Sequence, residues 1–158
     1  MTLPRTDAIA AIISLLALGA CAATPADAPT DANPFGGLGG TKWQLVEIQS
    51  MDDGQGVSRP KDPTKYILEF GREGVLSAKL DCNRGKGNWN SYVANANGGS
   101  LVIGTMAVTK ALCPDPTLGE MLERQLPYVR NFTMSDGRMH MALMADGGII
   151  VWEPLSSK

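Results

Sequence analysis

The chain has 158 residues, a formal net charge of −2 and a mean hydropathy of −0.05. From Thr41 onward acidic and basic side chains balance, which removes any charge argument for nucleic acid or anionic lipid as a partner. Once an N-terminal leader is set aside, the remainder suffices for one domain with its own core and is too short for two.

Residues 1–20 read as a secretory signal. Arg5 and the terminal amine supply the positive end, Ala8 to Leu18 is apolar, and small residues follow. The apolar run is shorter than the roughly 20 helical residues a bilayer requires. Leu18-Gly19-Ala20-Cys21 resembles a bacterial lipobox, which implies cleavage before Cys21 and lipid on its thiol and new amine. Two or three acyl chains hold a protein at a membrane where one, at ~0.8 kcal/mol per buried methylene, does not. Ala22 stands where an inner-membrane retention signal has Asp, so the resemblance points to an outer-membrane lipoprotein facing the periplasm. Residues 21–40 then read as the lipidated cysteine and a Pro-, Asp- and Gly-rich flexible tether, and the folded domain is expected over residues 41–155.

Thr41 to Gln49 is expected to be a first strand, and Ser50 to Thr64, rich in turn residues, a loop. Lys65 to Phe70 and Val75 to Leu80 alternate as the arms of a hairpin. Arg84-Gly85-Lys86-Gly87 reads as a turn, followed by strands over Asn88 to Ala94 and Leu101 to Ile103. From Asp115 the period changes. Leu118, Met121, Leu122, Leu126 and Val129 share a helical face, with Asp115 or Thr117 as cap and Pro127 as the stop. The tail returns to sheet with a hairpin turning at Asp136-Gly137 and a last strand over Ile149 to Glu153. Short strands on both sides of a single helix predict an α+β fold: a small antiparallel β-rich domain, about eight short strands in an incomplete barrel or strongly curved sheet, with one packed helix.

With Cys21 lipidated, Cys82 and Cys113 remain as an even pair in an oxidising compartment, which favours a disulfide between them. A metal site needs more ligands than one His and no Cys-x-x-Cys supply, and a catalytic thiol needs a nearby base. His140 lies among Met134, Met139, Met141 and Met144, a soft-ligand composition suited to Cu(I). Strand alternation instead sends Met139 and Met141 to one face and His140 to the other, so the methionines read as core filler. Asp52-Asp53-Gly54 lacks the further acidic positions of a calcium loop, and Arg84 to Gly87 lacks the spacing of a phosphate loop. No catalytic constellation, metal or cofactor is expected.

Several segments resemble a known family when taken in order: Trp43-Gln44-Leu45, Asp81-Cys82-Asn83, Leu101-Val102-Ile103-Gly104, Thr109-Lys110-Ala111-Leu112-Cys113-Pro114 and Val151-Trp152-Glu153. Together they are similar to the META domain of HslJ-type heat-shock envelope proteins. On that resemblance Cys82, Asn83, Thr109, Cys113 and Pro114 are motif positions, and Asp81 departs from the family's usual Gly. The resemblance implies an antiparallel β-rich domain with one helix, no established enzymatic activity, and an association with envelope stress and aminocoumarin tolerance. The function expected is therefore a non-catalytic, membrane-anchored module that binds an envelope partner of unknown identity. Carriage of a small apolar ligand in the barrel mouth is the alternative, with Cu(I) handling behind it.

Overall fold

Among the described residues ten strands form one antiparallel sheet, and eight of them close on themselves. The computed structural model describes residues 37–51, 54, 56–114 and 117–155. The strands are β1 (Thr41–Gln49), β2 (Val57–Ser58), β3 (Tyr66–Phe70), β4 (Val75–Leu80), β5 (Asn83–Asn95), β6 (Gly98–Ile103), β7 (Ala107–Val108), β8 (Val129–Ser135), β9 (Arg138–Leu143) and β10 (Ile149–Pro154). The barrel order is β1-β3-β4-β5-β6-β8-β9-β10, and β10 pairs back onto β1 from Trp43↔Pro154 to Gln49↔Ile149. The barrel is thus closed, where the sequence predicts an incomplete one. β10 meets β9 on one edge and β1 on the other, a pairing between chain ends that strand patterns do not encode. A bulge in β1 between Leu45 and Glu47 supplies local bending of the kind that closure requires.

Alternation places the core. Leu45, Leu68, Phe70, Leu76, Leu101, Met139, Met141, Ile150 and Trp152 have no exposure, and Trp43 and Trp89 are nearly as buried. Trp89 and Phe70 pack edge to face at 4.8 Å between centroids, and the Trp89 indole N–H donates to the Gly71 carbonyl. These large side chains fill the interior, as in other eight-stranded barrels. Apolar inside and polar outside is the reverse of a lipid-facing channel. Among the described residues no helix is long and apolar enough to cross a membrane.

Two elements close the ends. The helix α1 (Gly119–Gln125) brings Leu122, and the 3-10 turn Leu126–Tyr128 that continues it brings Leu126, onto the end where Tyr66 pairs with Leu80. The helix is shorter than the expected run from Asp115, which itself lies outside the described residues. Its first turn is held by Thr117, whose Oγ1 accepts from the Gly119 N–H at 3.0 Å. Pro127 does not end the helix abruptly but sits early in the 3-10 turn, where its missing N–H costs nothing. At the opposite end Leu38 enters the core beside Gly40, whose N–H bonds the Phe70 carbonyl. Leu38 falls within the stretch read as tether, so burial begins upstream of Thr41.

β5 runs thirteen residues and absorbs Arg84 to Gly87, the segment read as a turn. Its glycines make room rather than bend. A Cβ on Gly87 would lie 2.8 Å from Met106 Cγ, and one on Gly85 3.3 Å from Val108 Cγ2, both on the chain that crosses beside β5. Asp136 and Gly137 form the β8–β9 turn with both φ values positive, as the hairpin signal predicts.

Candidate functional site

The motif cysteines meet. Cys82, at the β4–β5 turn, and Cys113 form a disulfide across 5.7 Å between Cα atoms. The pairing expected from redox compartment is present, and it joins the sheet to the loop that leads into α1.

Asn83, one residue on, works beside the disulfide as an artificial strand neighbour. Its Oδ1 accepts from the Ala111 N–H at 2.8 Å, and its Nδ2 donates to the Ala111 carbonyl at 3.1 Å. Only a side-chain amide offers an acceptor and a donor in that fork, so Asn is the residue for the task. Thr109 completes the clasp. Its hydroxyl donates to Asn83 Oδ1 at 2.9 Å and accepts from the Arg84 N–H at 3.0 Å, while its own N–H bonds the Arg84 carbonyl. Asn83 Nδ2 also lies 3.3 Å from Cys113 Sγ. Lys110 adds a bond from its ammonium to both carboxylate oxygens of Glu123 on α1.

Three independent ties therefore hold one loop, and between them Leu112 stands 99% exposed. A depression of about 210 Å³ lies beside it, lined by Leu80, Asn83, Val108, Lys110, Glu120 and Glu123 among others. Pro114 is not part of the clasp. It borders a different depression with Lys65, Tyr66, Asp81 and Leu118.

Asp81 explains its own departure from glycine. Its φ is +63°, the left-handed region that glycine enters freely and Asp enters more readily than most residues. The carboxylate is 7% exposed and pairs with Lys65 Nζ at 3.1 Å. That bond with Asp81 holds the Lys65 ammonium above its ordinary pKa, and the nearby negative charge adds to the effect. Sequence reading missed this pair, and it missed Tyr66. The Tyr66 hydroxyl accepts from the Leu118 N–H at 3.2 Å and lies 3.2 Å from Thr117 Oγ1, fixing the helix entrance. A tyrosine on the inward face of a strand beside a capping Thr was the available signal.

The methionine group divides as alternation predicts. Met139 and Met141 are wholly buried, while half-exposed His140 occupies the other face of β9. Among the described residues no three of His, Cys, Asp and Glu converge as a metal set. Two polar atoms within the fold, Trp152 Nε1 and Gln125 Oε1, have no partner among the described residues, too sparse a set to orient a ligand. Cys21 lies outside the described residues.

The META domain family model matches residues 36–153, nearly all of the described chain. The chain belongs to the META domain family. No curated protein matches it. A META-like fold recurs in a solved solution structure of a Burkholderia xenovorans protein, 19% identical, with a TM-score of 0.57 over 76% of this chain and 85% of that one. A DUF4847 family protein from Bacteroides vulgatus is 10% identical, with a TM-score of 0.53 over 77% and 96%. At those identities the likeness concerns the fold alone. Within this META domain, the cysteine, asparagine and threonine motif positions converge on a structural clasp.

Proposed function

We propose that the chain is a non-catalytic, lipid-anchored module of the bacterial envelope, which acts by binding and serves envelope stress or antibiotic tolerance. One observation carries the reading. The motif residues Cys82, Asn83, Thr109 and Cys113 turn their polar groups on one another and on backbone, where they hold a loop and leave no nucleophile paired with a base. The closed barrel and its large inward side chains further favour an outward-acting module over a carrier of apolar ligands. The lipobox-like Leu18-Gly19-Ala20-Cys21 supports anchoring, and Ala22 supports the outer membrane. Fractionation of cells making the parent and the Cys21→Ser chain tests the anchor: the parent is expected in outer membranes and the variant unprocessed or soluble. Retention and normal maturation of the variant would refute lipidation. Cross-linked pull-down through the parent tests binding, and an empty capture from stressed and unstressed envelopes counts against it.

A further inference from the structure

We propose that the outward face of β5, β6 and β8 is a binding site for a neutral oligosaccharide. The inference deepens the binding-module reading and rests on it, but does not depend on anchoring.

Register builds the face. Tyr92 on β5 pairs with Ser100 on β6, Ser100 with Asn131 on β8, and Asn131 with Ala142 on β9. This row crosses three interstrand gaps of about 4.8 Å, close to 14 Å in all, room for a short oligosaccharide. Asn90 and Val102 pair in the next row on one side, and Thr133 stands two residues along β8 on the other. None of these side chains is charged. The half-exposed imidazole of His140 stands opposite Thr133, and the next outward charges lie at the borders, Lys86 down β5, Arg130 at the β8 bulge and Arg138 along β9. Elsewhere the outer surface carries ion pairs, Lys42–Glu69 between β1 and β3 and Arg59–Glu47 onto β1.

The uncharged face is not an apolar one. Tyr92 is 74% and Val102 54% exposed and Ala142 ends the row, while Asn90, Ser100, Asn131 and Thr133 contribute amide and hydroxyl groups. The side chains of Asn90, Tyr92, Ser100, Asn131 and Thr133 take no hydrogen-bond partner among the described residues, so their donors and acceptors are available. Tyr with Ser and Asn is a composition that supplies rigid contact area and adaptable hydrogen bonding together. A protein partner calls for a larger apolar centre with aromatic or Arg anchors. A sugar presents the complement of what is here: an apolar ring face for one aromatic side chain, and neutral hydroxyl or amide groups around it.

The surface there is shallow and open. A depression of about 460 Å³ lies over Asn90, Tyr92, Ser100 and Val102, and another of about 520 Å³ follows over the β5–β6 turn to Asn131 and Thr133. Gly98 and Gly99 are what bring these strands together. A Cβ on either would fall 2.3 Å or less from a backbone oxygen of Phe132 or Tyr92.

The test is calorimetric titration of the full chain, in a detergent without a sugar headgroup, against N-acetylglucosamine tetramer, cellotetraose and tetragalacturonate. Saturable binding of at least one neutral tetramer is expected, unchanged between low and high salt, with the charged tetramer weaker. Tyr92→Ala should weaken it about tenfold or more, equal to about 1.4 kcal/mol, and Tyr92→Phe much less. Asn131→Ala should weaken it independently, and melting curves of all variants should overlay the parent because these side chains are exposed. Absence of binding to both neutral tetramers, indifference to Tyr92→Ala and Asn131→Ala, or decline with salt overturns the proposal. A captured protein partner or a dimer that Tyr92→Ala abolishes, with no sugar bound, would assign the face to a protein; that also overturns it while leaving the binding-module reading in place.

Discussion

Removing the disulfide should cost this domain a large part of its stability, and the size of the loss follows from the loop it closes. Cys82 and Cys113 are 31 residues apart. In the chain-entropy model that separation restricts the unfolded chain by about 3.7 kcal/mol at 25 °C, before any native strain. A domain of roughly 120 residues has an unfolding entropy that turns this into a fall in Tm of about 10–15 °C. The asparagine clasp bridges the same two segments and persists without the sulfurs, so it does not diminish the entropic term. It does keep the loop seated, so the variant should still fold. The comparison is Cys82→Ser with Cys113→Ser against the parent, both carrying Cys21→Ser so that no third thiol intervenes. Thermal unfolding followed by circular dichroism gives the shift, and the parent in reductant should approach the double variant. A double variant melting within about 2 °C of the parent refutes the loop-entropy reasoning. Two titratable thiols in the unfolded, unreduced parent refute the bond itself.

Asn83→Ala deletes both arms of the amide fork and the acceptor for Thr109, and should cost about 1–2 kcal/mol in denaturant unfolding at a half-exposed site. Asn83→Asp should recover only part, because it keeps the acceptor but faces the Ala111 carbonyl with a second oxygen. Gly119→Ala should destabilise, against the usual gain of up to about 1 kcal/mol for that change in a helix, because the new Cβ would sit 2.7 Å from the Leu80 carbonyl oxygen; a higher Tm would show that α1 can slide away. Glu47 is held below its ordinary pKa of 4.5, first by the hydrogen bond from Gln49 and then by Arg59. Its folded value lies below the unfolded one, so its stabilisation is present above about pH 4.5 and is lost as pH falls through the depressed value. Glu47→Gln should therefore flatten the acid limb of a Tm–pH curve, and an unchanged limb would remove Glu47 from it.

The strands were legible because each buries one face, so Leu45, Leu68, Leu76 and Met141 announce themselves by period two. β1 and β4 run where alternation and turn residues put them. What failed shares a cause: the information lay in a distant partner. Gly85 and Gly87 look like a turn until Met106 and Val108 are seen to occupy the space their side chains would take. β2 and β7, two residues each, exist only as pairings onto β1 and β5. Closure depends on β10 reaching β1, and no local pattern reports that contact. The cysteine pair was legible from parity and from the compartment that the N-terminal residues imply. The amide fork was not, since Asn83 and Ala111 are 28 residues apart and nothing in either sequence segment signals an amide standing in for a strand.

Closure also limits how such a domain can recognise anything. An open sheet offers an edge, and a partner can extend it through backbone hydrogen bonds alone. Here each of the eight barrel strands has a neighbour on both sides, and the additional strands β2 and β7 are too short to template another. Recognition must then run through side chains, which the outer wall presents in two distinct ways. Between β1 and β3 charges face each other as the exposed pair Lys42–Glu69, which confers solubility and little affinity. Two exposed features differ from it: Leu112, held out by the clasp beside Lys110, Glu120 and Glu123, and the uncharged Tyr92–Ser100–Asn131 row. The clasp is rigid and local, and its leucine is a single apolar knob without a surrounding patch. The row spans three strands of a barrel whose interior is solid, so its side chains are spaced by the sheet and pay little entropy on binding. On the proposal made above, a fixed neutral array of that kind suits a repeating, uncharged ligand, and Tyr92 is the residue whose loss tests it.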